Sequence, residues 1–143
     1  MRELVHRLVD DRAKILVSVP YAACKETLEI RITPNNPAAA QIVIHWNPNI
    51  VGAEMALGKH MIFETIDIVG KRNSPQAIDH VRRILESVIA GNLTEDIWMR
   101  GDVVVKSISR LTVDGKEYVF RRGYLFINLF RKTARIIIRY EPY

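Results

Sequence analysis

The chain has 143 residues, of which 48% are hydrophobic and 26% charged; this suits one globular domain over 1–143 with a continuous core and excludes a disordered polypeptide. Apolar runs such as Ile136-Ile137-Ile138 fall far short of the roughly 18 residues that a membrane-spanning helix needs, so no membrane partner is expected. The formal net charge of +5 is uneven: residues 98–143 hold ten Lys/Arg against four Asp/Glu, a net of +6, which leaves −1 in the remainder.

Met1-Arg2-Glu3-Leu4-Val5-His6-Arg7 carries charges where a secretory signal would keep an apolar core. A single cysteine, Cys24, rules out an intramolecular disulfide and reads as a small structural residue. Both features lead to the expectation of cytoplasmic residence in a reducing compartment.

In chain order, Arg2–Val9 places Leu4, Val5, Leu8 and Val9 at helical spacing, in a helix too short to persist without tertiary contacts. Residues 14–19, 27–32 and 41–46 read as strands; Leu28, Ile30 and Ile32 alternate with Glu29 and Arg31. Pro20-Tyr21-Ala22-Ala23 and Thr33-Pro34-Asn35-Asn36-Pro37 read as connections, because proline fixes φ and asparagine accepts turn geometry. Between Ile50 and Lys59, glycines at 52 and 58 flank an Ala/Glu/Met/Ala/Leu stretch that predicts one or two helical turns. Residues 60–69 read as another strand.

The clearest helix runs from Pro75 to Ala90, with Ser74 as its N-cap and Gly91 as its left-handed C-terminal cap. Its apolar stripe is Ala77, Ile78, Val81, Leu85, Val88 and Ile89, which suits a helix covering a sheet. Strands follow at 95–99 and 102–113. Asp114-Gly115 then predicts a two-residue type I′ hairpin, which sets Leu111 opposite Tyr118 and Ser109 opposite Phe120. That register leaves Lys106, Arg110 and Arg121 on the other face beside Ile108 and Val119. A last strand over 135–141 repeats the basic pattern with Arg135, Ile137 and Arg139. The resulting fold class is α+β: a mostly antiparallel sheet packed against one main helix, with a C-terminal β-hairpin and a final strand.

No constellation for catalysis is legible, so a non-enzymatic role is expected. His6, His45, His60 and His80 lie in separate elements, with no HxH, HExxH or CxxC spacing. There is no GxSxG elbow, and the glycines form neither a P-loop nor a dinucleotide fingerprint. Carboxylates such as Glu26 and Glu29, Glu64 and Asp67, or Glu95 and Asp96 read as parts of solvated strand faces. No metal and no cofactor are therefore expected. The partner-binding candidates are Lys106, Arg110, Arg121, Arg122, Arg131, Lys132, Arg135 and Arg139. Such a basic face suits an anionic partner: an acidic protein surface or, alternatively, nucleic acid, where cations hold phosphates and aromatics stack bases. Tyr118 and Phe120 fall on the face assigned to the core, away from that role.

The segment Ile89-Ala90-Gly91-Asn92-Leu93-Thr94-Glu95-Asp96-Ile97-Trp98, the strand after it, the Asp114-Gly115 hairpin and the closing Tyr140-Glu141-Pro142-Tyr143 resemble small immunity proteins of bacterial polymorphic-toxin and contact-dependent growth inhibition systems. The resemblance covers roughly the last 60 residues, lies in layout without a diagnostic motif, and transfers no residue role. It implies a cytoplasmic, non-enzymatic protein made with a toxin, whose C-terminal domain it binds and whose active site it blocks. A basic surface suits a toxin flank lined with carboxylates better than a nuclease cleft that grips phosphate.

Overall fold

The computed structural model describes residues 1–19, 27–46, 53–64, 75–123 and 133–143. Helix α1 (Arg2–Val9) and a 3-10 turn (Asp10–Arg12) lead into β1 (Ala13–Ser18), β2 (Leu28–Pro34), β3 (Ile42–Trp46), β4 (Ala53–Leu57) and β5 (Met61–Glu64). Helix α2 (Pro75–Ile89) follows, then β6 (Leu93–Arg100), β7 (Val103–Val113), β8 (Lys116–Gly123) and β9 (Ala134–Arg139). The fold is mixed α and β, and every strand pairing is antiparallel: one sheet has the order β1-β2-β3-β4-β5, the other β8-β7-β6-β9.

The fold departs from the sequence expectation in two places. Instead of one sheet the described residues form two, and beside the main helix α2 the short helix expected at Arg2–Val9 joins the core through fully buried Val5 and Val9. Residues 53–57 are strand β4, not helical turns. Ala53, Met55 and Leu57 are buried while Glu54 and Ala56 are exposed. Pairing with β3 and β5 lets that period of two override the helix propensity of Ala, Glu, Met and Leu.

The first sheet buries one face through Ile30, Ile32, Ile42, Ile44, Met55 and Leu57, brought side by side by the β2-β3-β4 register. Against this core α2 contributes Val81, Ile84, Leu85, Val88 and Ile89, and the second sheet Leu93, Leu111 and Val113. Ile84 extends the predicted stripe; the N-cap residue Ser74 lies outside the described residues. The helix ends as predicted: Gly91 has φ 79°, and the Asn92 N–H donates to the Ser87 carbonyl. The C-terminal tail closes the arrangement. Ala39 bridges Glu141, the Tyr143 N–H donates to the Ile89 carbonyl, and the half-buried Tyr143 hydroxyl donates to that of Ala40.

His80, buried on α2 edge-on to Tyr118, has its pKa held below the ordinary histidine value, chiefly by burial. Below about pH 6.5 the unfolded chain takes up a proton at this position that the folded chain resists, so stability falls as pH drops from about 7 to about 5. Denaturation midpoints at the two ends of that range should show the fall, and His80→Phe should flatten it. An unchanged slope in the variant would assign the effect elsewhere.

Candidate functional site

β6 lies between β7 and β9, so its alternate residues are flanked on both sides. On the face turned away from the core, Thr94 lies between Arg110 and Arg139, Asp96 between Ile108 and Ile137, and Trp98 between Lys106 and Arg135. β8 adds Arg121 beside Ile108 and Val119 beside Arg110. The hairpin that fixes this register is type I′, with φ 50° at Asp114 and 76° at Gly115, and it pairs Leu111 with Tyr118 and Ser109 with Phe120.

Five of the eight candidate cations therefore share one face: Lys106, Arg110, Arg121, Arg135 and Arg139. Arg122 is opposite Ser107, one step out of phase, and belongs to the other face. Arg131 and Lys132 lie outside the described residues, as does Cys24. The face is open: the Arg135 side chain is 53% exposed, Ile137 is also 53% exposed, and Lys106, Arg121 and Arg139 are exposed.

Its centre is organised by two residues that the sequence reading left without this role. Asp96, with only 6% of its side chain exposed, accepts from Arg110 Nη1 at 2.7 Å and from Arg135 Nη2 at 3.0 Å. The Arg110 hydrogen bond, then that of Arg135, holds its carboxyl below the ordinary aspartate value against the opposing effect of burial. Trp98 carries Lys106 Nζ at 4.5 Å and the Arg135 guanidinium carbon at 5.3 Å from its ring centroid. Arg135 thus joins the carboxylate to the ring. Against the five cations this face sets Asp96 and, at the hairpin end, Glu117.

The opposite face of β6 holds Glu95, which is fully buried. Its Oε1 accepts from the His60 N–H at 2.8 Å and the Ser109 hydroxyl at 3.0 Å. Its Oε2 accepts from the Tyr140 hydroxyl at 2.8 Å and the Lys59 N–H at 3.2 Å. Burial raises the Tyr140 hydroxyl pKa well above the usual tyrosine range. Placing Glu95 and Asp96 on a solvated strand face is thus corrected: one carboxylate bolts the β4–β5 turn to the second sheet, the other orders arginines. The alternation 94, 96, 98 puts Asp96 and Trp98 on one face. Their partners come partly from β9, about 40 residues on, and that neighbour has no local signal.

Among the described residues no group of three His, Cys, Asp or Glu side chains is placed to hold a metal ion, and no helix is long and apolar enough to cross a membrane. Tyr118 and Phe120 pack against the core from the inner face. Comparison with protein-family models, curated proteins and solved structures finds no match to this chain.

Proposed function

We propose that this chain is a protein-binding module of the immunity type, which neutralises a cognate toxin domain by docking the outer face of its β8-β7-β6-β9 sheet on an acidic surface of that domain. The carrying observation is the ordered cationic centre: Asp96 fixes Arg110 and Arg135, and Trp98 lies under Arg135 and Lys106. Arginine and tryptophan beside half-buried aliphatics such as Ile108 and Val119 are the residue types that dominate binding energy at protein interfaces. A single-stranded nucleic acid would need aromatic faces free for stacking. Here the Trp98 ring already has cations over it, and Tyr118 and Phe120 are turned inward.

Co-expression with the product of the neighbouring reading frame should give a complex and protect cells from its toxicity. Replacing Arg110, Arg121 and Arg139 together with alanine should weaken that complex by about 100-fold or more while the fold persists. No complex, or unchanged binding by the triple variant, would dismiss the reading. Steeply salt-dependent binding to oligonucleotides through the same arginines would replace it with the nucleic-acid alternative.

A further inference from the structure

A second region, at the end of the second sheet where β6 turns into β7, is built differently from the outer face. Between Trp98 and Met99 the β6-β7 register shifts. A bulge of this kind re-aims the side chains beyond it. The extra residue is Val105 of β7, and Val103, Val104 and Val105 line one cleft of about 710 Å³ together with Arg100, Lys106, Ser107 and Arg122. His60 completes the polar lining, carried by the β4–β5 turn whose backbone is held by Glu95. At the rim β8 closes tightly on β7: a Cβ on Gly123 would stand 2.5 Å from the Val105 carbonyl oxygen, and φ there is +121°.

Among the described residues the lining holds three permanent cations and no carboxylate. Nε and Nη2 of Arg100 are shielded from solvent and meet no acceptor among the described residues; the same is true of the Ser107 hydroxyl, in a residue only 1% exposed. Desolvated donors without an acceptor are costly, and nearly all such groups in folded proteins are satisfied. Two adjacent guanidinium N–H groups form the fork that grips a tetrahedral oxyanion, and a hydroxyl donor supplies a third bond. Val103, Val104 and Val105 add an apolar wall, and the volume lies in the range of small-molecule sites.

We infer that this cleft binds a small organic phosphomonoester, with Arg100 and Ser107 holding the phosphate, Arg122 and Lys106 supplying charge, and the valine wall taking the organic body. The site is separate from the proposed docking face except at Lys106, and it does not depend on that reading.

Titration of the full chain with inorganic phosphate and with phenyl phosphate, followed by amide chemical shifts and calorimetry at low ionic strength, tests the assignment. Saturable shifts are expected around residues 100, 107 and 122, with phenyl phosphate binding more tightly than inorganic phosphate. Arg100→Met should weaken binding about tenfold and Ser107→Ala severalfold, whereas Arg121→Ala, on the other face, should leave it unchanged. Should Arg100→Met not fold, Arg122→Met together with Ser107→Ala gives the same reading. Absence of saturation, or equal loss from Arg121→Ala, would overturn the proposal. So would phenyl phosphate binding no tighter than chloride.

Discussion

Replacing Glu95 with alanine is expected to destabilise the protein by about 3–5 kcal/mol, because three buried or half-buried donors lose their acceptor at once and the Lys59 N–H keeps only the Tyr140 hydroxyl oxygen. The Lys59 and His60 N–H groups come from the turn between β4 and β5, the Ser109 hydroxyl from β7 and the Tyr140 hydroxyl from the residue after β9. The carboxylate is therefore the polar junction of the two sheets, and no apolar side chain can replace its four acceptances. Glu95→Gln keeps the shape but presents an amide donor to groups that also donate, so an intermediate loss is expected. Chemical denaturation of the three proteins reads both effects. A loss below about 1 kcal/mol in the alanine variant would mean that water reaches these donors and that the junction is not structural.

Gly58→Ala should cost about 2–4 kcal/mol by two additive routes. At φ +63° an L side chain is strained, by about 1–2 kcal/mol. The new Cβ would also stand 2.7 Å from the Tyr140 hydroxyl oxygen and 2.9 Å from ring atoms, a contact that displaces the ring or the turn. Moving the ring also breaks the Tyr140 bond to Glu95, so the two sites should couple. In a double-mutant cycle with Tyr140→Phe the losses should sum to less than their independent total, since each variant weakens the same junction. Strict additivity would show that the ring moves aside without disturbing the carboxylate.

Strand and helix identities were legible wherever one local pattern dominated. The α2 stripe with its terminal glycine, the Asp114-Gly115 turn and the resulting Leu111–Tyr118 register follow from residues within a few positions of one another. The same register placed Lys106, Arg110 and Arg121 on one face. Local pattern misleads at residues 53–57, where good helix formers are committed to a strand by neighbours on both sides. It misleads again at Glu95 and Asp96. Adjacent residues on a strand face opposite ways, but which way leads into the core depends on what lies above the sheet. The docking of β9 beside β6, which delivers Arg135 to Asp96 and Trp98, joins segments about 40 residues apart and has no local signature.

The sequence by itself determined an α and β chain of antiparallel strands, its main helix, the Asp114-Gly115 hairpin and a cationic C-terminal strand face, because these depend on side-chain periodicity and turn chemistry over short spans. Only the tertiary structure decided that the strands divide into two sheets, that Glu95 is their buried polar junction and that Asp96 and Trp98 order the cations outside. A bulge no local pattern announces set Val105 of β7 into the wall of the cleft. All of these depend on which distant segments share a surface, and that is fixed by packing of the whole chain rather than by any stretch of it.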